Sequence, residues 1–241
     1  VSFLRWPDDP VEARERGVRA FDRVAPRYDV MRRLLSGGRE EAWKRRTLRA
    51  ALPSRPSRCL DVATGTGDVA ALLLATFPGV RVVGLDGNRA MLSRARGKAP
   101  LASVRWLLGD LDRLPFRPAR FDAVTVAYGL RYATDLPGFL RACAGALRPG
   151  GVLWSFDLGR PVRGPLRAAW SAYLLVAGTL LGLFLHGRPS TYWHLVETLR
   201  AYPGQDHVSA LLAGAGFAEV RCENLLGGML AVHVARKAPA P

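Results

Sequence analysis

Four carboxylates are spaced so that together they could hold a positively charged nucleoside. Asp61 and Asp68 bracket a glycine-rich turn, Leu60-Asp61-Val62-Ala63-Thr64-Gly65-Thr66-Gly67-Asp68. Asp86 closes Val83-Gly84-Leu85-Asp86, and Asp110 closes Leu108-Gly109-Asp110. Glycines in such a turn let a ligand approach the backbone at the carboxyl end of a strand, where open α/β sheets bind ligands. Gly65, Gly67 and Ala70 also satisfy the loose dinucleotide pattern, with Asp86 near the spacing of a ribose-binding carboxylate. Charge separates the two readings. A pyrophosphate is held by bare amides at a helix N-terminus, and two flanking anions are ill suited to hold a third. They suit a cation, and S-adenosylmethionine carries an ammonium and a sulfonium beside its adenosine. On this reading Asp86, with Gly87 next to it, takes the ribose hydroxyls, and Asp110 takes the adenine amino group. A plain helix cap is the lesser reading of Asp61 or Asp68, since four carboxylates at successive strand ends argue against chance.

These residues need a sheet whose strand ends converge. From Arg58 onward short apolar runs alternate with helical stretches, the pattern of a parallel sheet covered on both faces. Strands are expected at Arg58 to Ala63, Arg81 to Asp86, Val104 to Gly109, Phe121 to Ala127 and Val152 to Asp157. Helices between them are expected at Asp68 to Phe77, Arg89 to Lys98 and Leu136 to Leu147, the last stopped by Pro149-Gly150-Gly151. Helices Val11 to Val24, Arg27 to Leu35 and Glu40 to Leu52 form a basic cap over residues 1–52. An insertion at about 160–202 carries a second helix, Thr191 to Ala201, and Gln205 to Ala215 forms the last helix. Strands Ala218 to Asn224 and Met229 to Arg236 close the chain, joined by Leu225-Leu226-Gly227-Gly228 as a hairpin turn. The expected fold is α/β: a doubly wound, seven-stranded, mostly parallel sheet over 53–241, with the helical cap before it and the insertion before the last two strands.

The 241 residues carry 35 Lys+Arg against 20 Asp+Glu, a net +15, and only Lys44, Lys98 and Lys237 are lysines. Such a charge favours an anionic partner, nucleic acid or a membrane surface, and says nothing of fold. Cys59, Cys143 and Cys222 are far apart and form no CxxC, which argues against a metal or disulfide framework and for buried thiols in a reducing compartment. The first ten residues contain no apolar h-region, so no secretory signal is expected. Ala168 to Gly187 is twenty residues without a formal charge, flanked by Arg160, Arg163, Arg167 and Arg188. That is long enough to span a bilayer, and Gly178 and Gly182 form a GxxxG pair. Ser171, Thr179, His186, arginines at both ends and domain sequence on both sides favour a buried or surface-lying helix instead.

Three further stretches, read with the glycine turn, resemble the ubiquinone/menaquinone biosynthesis C-methyltransferase family of class I S-adenosylmethionine methyltransferases. They are Phe21 to Asp29 with Trp43-Lys44-Arg45, Tyr128-Gly129-Leu130-Arg131 with Thr134-Asp135, and Leu147-Arg148-Pro149-Gly150-Gly151, the last shared more widely among methyltransferases. Tyr192, Leu195, Glu197, Pro203 and Gln205 fall on a family helix motif, and Asn224-Leu225, Gly227-Gly228 and His233 on its C-terminal hairpin. The resemblance runs from about Phe21 to Lys237. It implies cofactor contacts at Thr66, Asp86, Asp110 and Leu111, with Ala127 where many members have serine. Tyr132 replaces a usual asparagine, His194 a frequent tyrosine, and Phe156-Asp157 a glutamate-containing pair; all three departures lie on the substrate side.

The implied reaction is attack by a hydroquinone ring carbon, activated by an ortho hydroxyl, on the sulfonium methyl. Alignment of the reactants supplies most of the rate, about 7 to 11 kcal/mol. Arg131, after the fourth strand, is the first candidate to stabilise the phenolate or orient a water; a structural ion pair is its other reading. Tyr28 and His233 are secondary, and His233, in an apolar strand, fits a satisfied core histidine more readily. The implied substrate is a lipid quinol, reached on an anionic membrane surface by a cytoplasmic protein peripheral to the inner face of the cell membrane. A methyltransferase of another apolar small molecule is the main rival, ahead of a non-enzymatic lipid-associated protein. Nucleic acid is not expected as a partner, because Ala127 to Tyr132 holds neither proline nor cysteine. A nicotinamide oxidoreductase is disfavoured by Asp61 and Asp68. The sequence leaves the oligomeric state, a homodimer included, open.

Overall fold

The computed structural model describes residues 9–161 and 163–240. Residues 1–8, counted above with the cap and in the search for a leader, lie outside the described residues. Three helices come first: α1 (Pro10–Val24), α2 (Tyr28–Leu35) and α3 (Glu40–Ala51). The alternating part follows as β1 (Arg58–Val62), α4 (Asp68–Thr76), β2 (Arg81–Asp86), α5 (Arg89–Arg96), β3 (Arg105–Leu108), β4 (Phe121–Ala127), α6 (Leu136–Ala146) and β5 (Leu147–Leu158). The insertion contributes α7 (Gly164–His186) and α8 (His194–Ala201), and α9 (Gln205–Gly214), β6 (Phe217–Leu225) and β7 (Leu230–Lys237) complete the fold.

The seven strands lie in the order β3-β2-β1-β4-β5-β7-β6, and β7 alone runs antiparallel to its neighbours. Strand side chains alternate between two cores, as a period of two requires. Cys59, Val82, Ala123, Trp154 and Phe156 pack with α3 and α4 on one face. Leu60, Val62, Leu85, Val124, Val126 and Leu153 pack with α6 and α9 on the other. The parallel order brings the carboxyl ends of β1, β2, β4 and β5 to one edge, where the turns that carry the site emerge.

Most element boundaries fall within two residues of the sequence expectation, and the larger differences have physical causes. β5 starts at Leu147, because Phe121 pairs with Leu147 and the register shifts before Ala123 meets Val152. The helix does stop there, at Ala146, and Arg148-Pro149-Gly150-Gly151 also forms a bulge at the head of the strand that follows, with Gly150 at φ 74°. Pro189–Tyr192 winds as a 3-10 turn, so α8 begins at His194. The last turn is likewise a short 3-10 segment, Leu226–Gly228.

α7 is long and apolar enough to cross a membrane. Its inner face nevertheless packs on the domain through Trp170, Leu174, Gly178 and Gly182. The glycine pair seats the chain's own turn: a Cβ on Gly178 would come within 3.2 Å of Tyr192 Cβ, and one on Gly182 within 2.5 Å of the Arg188 carbonyl. Its outer face shows Tyr173, Val176, Leu180, Leu183 and Phe184, the last 79% exposed.

Candidate functional site

The β1–α4 turn is built from unusual backbone. Ala63 (φ 53°), Gly65 (55°) and Gly67 (81°) are left-handed, which glycine tolerates and alanine resists. A Cβ on Gly67 would lie 2.6 Å from Leu101 Cδ1 and 2.8 Å from Trp106, whereas one on Gly65 would meet nothing within 4 Å. Gly67 is thus packed against the protein, and Gly65 borders open space. The Gly65 amide donates to Asp86 Oδ2 at 2.7 Å, and the Asn88 amide to Asp86 Oδ1 at 2.8 Å. Burial raises the pKa of Asp86 against these two bonds. Each oxygen keeps a second lone pair for a ligand.

The carboxylates that flank the glycines face inward. Asp61 is buried and accepts from Thr64 Oγ1 at 2.5 Å and Thr125 Oγ1 at 2.8 Å. Burial pushes its pKa up to about 7 against both bonds. Asp68, the first residue of α4, meets Lys44 Nζ at 2.8 Å and Arg32 at 2.6 Å. Burial would raise its pKa, but Lys44 and Arg32 outweigh burial and hold it below the usual carboxylate value. Glu40 completes this group by pairing with both cations. Thr66 Oγ1 donates to Asp29 at 2.5 Å, and Lys98 links Asp29 to the Thr66 carbonyl at 2.7 Å each. The charged residues of the turn therefore clamp α2 and α3 onto it.

Two cavities meet at the strand ends. The smaller, about 140 Å³, is lined by Gly65, Asp86, Gly87, Asn88, Asp110, Leu111, Asp112 and Ala127, and is covered by Gly17, Val18 and Phe21 of α1. Asn88 fastens that cover by donating to the Val18 carbonyl and to Asp22. The larger, about 660 Å³, is mostly apolar, with Met31, Leu35, Trp43, Leu158, Trp170, Leu174, Leu195 and Leu230 among its walls. Phe21, Tyr28, Tyr128 and Tyr132 line both. Tyr128 stands at the junction with φ 57°, a conformation costly for a bulky residue and typical of functional sites. Its amide donates to the Phe156 carbonyl, and Lys44 Nζ lies 5.0 Å from its ring centre. Arg131, on the 3-10 turn after β4, lines the larger cavity. Its Nε pairs with Asp157 at 2.6 Å and its Nη1 with Thr198 at 2.6 Å.

The sequence pattern of the ubiE/COQ5 methyltransferase family matches residues 11–237. The chain belongs to that family. A demethylmenaquinone methyltransferase of Thermus thermophilus is 40% identical over 216 residues, 89% of this chain and 98% of the relative. A ubiquinone/menaquinone biosynthesis C-methyltransferase of Rubrivivax gelatinosus is 36% identical over 239 residues, covering 99% and 94%. In fold the chain resembles a SAM-dependent methyltransferase of Thermotoga maritima, described as a possible histamine N-methyltransferase. The two share 18% identity at a TM-score of 0.66, over 91% and 99% of the chains.

In this ubiE/COQ5 methyltransferase the smaller cavity brings together Gly65, Asp86, Gly87, Asp110, Leu111 and Ala127. Asp61, Thr66 and Gly67 do not line it: Asp61 is closed off by two threonines, Thr66 is tied to α2, and Gly67 faces Leu101 and Trp106. Tyr28 and Arg131 line the larger cavity, but His233 lines neither. His233 is fully buried in β7, with Nε2 3.0 Å from the Gln205 carbonyl and Nδ1 3.3 Å from Ser155 Oγ, so both ring nitrogens have partners in the core. The three cysteines are free, and among the described residues no group of metal ligands forms. Sequence reasoning overlooked Asn88 and the α1 cover. Asn88 caps α5, accepting from the Met91 amide at 2.9 Å, and an asparagine directly after Leu-Asp-Gly was the available signal. Nothing local marks Gly17 and Val18.

Proposed function

We propose that this methyltransferase adds a methyl group to a ring carbon of a polyprenyl quinol such as demethylmenaquinol, with S-adenosylmethionine as the donor. The observation that carries the reading is the wide apolar cavity meeting a smaller, carboxylate-edged one at four shared aromatic rings. A volume of about 660 Å³ takes a two-ring head and the start of a tail. The residues of the smaller cavity fit the donor. Asp86 offers two spare acceptor positions to a ribose, Asp110 an acceptor to an adenine, and Gly65 a bare backbone beside open space. When bound, the donor supplies an electrophilic methyl on a positively charged sulfur. The protein aligns the two reactants and excludes water. Arg131, fixed at Nε by Asp157 and at Nη1 by Thr198, brings its positive charge to the cavity wall beside the acceptor oxygen. The test is incubation with methyl-labelled donor and a short-tailed demethylnaphthoquinol, followed by mass spectrometry. A labelled product heavier by one methyl is expected; an unmethylated quinol beside a methylated product of another class would move the chain to a different acceptor.

The mouth of the larger cavity favours work at a cytoplasmic membrane surface. Arg39, Tyr173 and Leu226 line the cavity and are exposed to solvent, and the exposed side of α7 continues from Tyr173 to Phe184 without a charge. Leu34 and Leu226 add to this patch, at 55% and 52% exposure. A patch of this kind marks an interaction surface. Arg33, Arg39, Arg163 and Arg188 stand exposed around it, each worth about 1 kcal/mol near anionic lipid. The protein is expected to cosediment with anionic vesicles, more weakly with neutral ones, and Leu183→Ser/Phe184→Ser should reduce binding about tenfold. No binding of the wild type to either vesicle would remove the membrane from the reading.

A further inference from the structure

Among the described residues, the walls of the larger cavity include two carboxylate or imidazole groups able to accept a proton, Glu40 and His194. The Glu40 carboxylate is committed to Lys44 and Arg32. The tyrosines are donors: burial drives the hydroxyls of Tyr28, Tyr128, Tyr132 and Tyr192 upward in pKa. His194 remains. Its Nδ1 lies 3.1 Å from the Thr191 carbonyl. A carbonyl only accepts, so Nδ1 carries the hydrogen and Nε2 the lone pair. Nε2 has no protein partner among the described residues. Phe21, shared by both cavities, has its ring centre 6.0 Å from the imidazole and 5.1 Å from the ring of Tyr132. The base therefore stands one ring from the junction where the methyl must cross. Its surroundings fix it in the neutral form. Burial and Arg131 push its pKa down to about 4 against the bond to Thr191. The charged groups around it are themselves compensated, Arg131 by Asp157 and Arg16 of α1 by Glu197 of α8.

We infer that His194 Nε2 takes the hydroxyl proton of the acceptor ring while Arg131 holds the oxygen, which makes His194 a catalytic residue of this chain. The inference rests on the quinol reading above. As the proton moves to Nε2, the ring carbon forms its bond to the methyl group. The methyl–sulfur bond breaks with its electron pair left on sulfur. The resulting ketone then enolises: the ring hydrogen leaves as a proton, and the oxygen regains the proton held on Nε2. One proton is released per methyl. A weakly basic imidazole suffices because proton transfer creates an imidazolium–phenolate pair in a dry cavity, where the attraction is strong.

His194→Gln keeps an acceptor atom but cannot hold the proton. With labelled donor and short-tailed quinol, kcat at pH 7 is expected to fall about 100-fold, while donor affinity by calorimetry stays within about twofold. The deficit should shrink by about tenfold per pH unit as the quinol begins to ionise unaided. Nitrogen NMR of the imidazole gives a readout independent of turnover: the Nδ1–H tautomer should persist from about pH 6 to 8, and the Nε2 resonance should move when the quinol binds. A kcat within threefold of wild type, a deficit equal at all pH values, or an Nε2–H tautomer would each overturn the inference. A wild type that methylates no quinol overturns the substrate reading beneath it. A wild type that does, with an unaffected His194→Gln, overturns this inference alone.

Discussion

Asp86→Ala is expected to weaken binding of S-adenosylmethionine by at least about 100-fold. The carboxylate is the hub of the smaller cavity, accepting the Gly65 and Asn88 amides at 2.7 and 2.8 Å while keeping one lone pair per oxygen for the ribose. Hydrogen bonds to a charged group contribute about 1.5–3 kcal/mol each, so losing two costs about 3–6 kcal/mol, and a hundredfold is the lower end. The variant also releases the two amides that shape the turn. Asp86→Asn retains one acceptor oxygen and should fall in between. Calorimetry with the donor alone decides the matter, and unchanged affinity in Asp86→Ala would place the ribose elsewhere.

The second large effect falls on stability and activity together. Arg131 and Asp157 form a 2.6 Å ion pair with both side chains 1% exposed. Removing one partner of a buried pair leaves an uncompensated charge and costs about 3–5 kcal/mol. For a chain of this size that lowers Tm by about 10 °C. Arg131→Ala should therefore melt early, lose turnover and keep donor affinity. Adding Asp157→Asn removes the stranded charge. The double variant should regain most of the lost stability and none of the lost turnover. Recovery of both would make the arginine a structural pair and nothing more.

The sheet was legible because its strands are apolar runs with abrupt ends: Arg81 to Asp86 and Phe121 to Ala127 were expected and found at those bounds. The start of β5 was hidden by Pro149 and two glycines, which mark the end of the helix at Ala146 and, through the pairing of Phe121 with Leu147, also lie in a bulge of the strand. At the site, Asp86 and Asp110 could be read from their places at strand ends. The inward carboxylates could not. Asp68 seemed available to a cationic ligand, but its partners, Lys44 and Arg32, lie 24 and 36 residues away in the cap. Arg131 and His233 each carried an open structural alternative. For His233 the structure places both ring nitrogens against partners in the core. For Arg131 the ion pair coexists with a place on the cavity wall. Tyr132, Asp157 and His194, scattered substitutions in the sequence, gather around that one guanidinium: the pair to Asp157, the Tyr132 ring centre 5.4 Å from it, and His194 within its field. Only the folded chain shows them to be neighbours.

α1 covers the donor cavity with Gly17, Val18 and Phe21, and the same Phe21 also forms part of the wall around the acceptor. Lifting that helix from the donor cavity breaks the bonds from Asn88 to Val18 and Asp22. Withdrawing Phe21 then unroofs the quinol head as well. The two cavities therefore share one wall on one helix, so a displacement of α1 large enough to open either would open both.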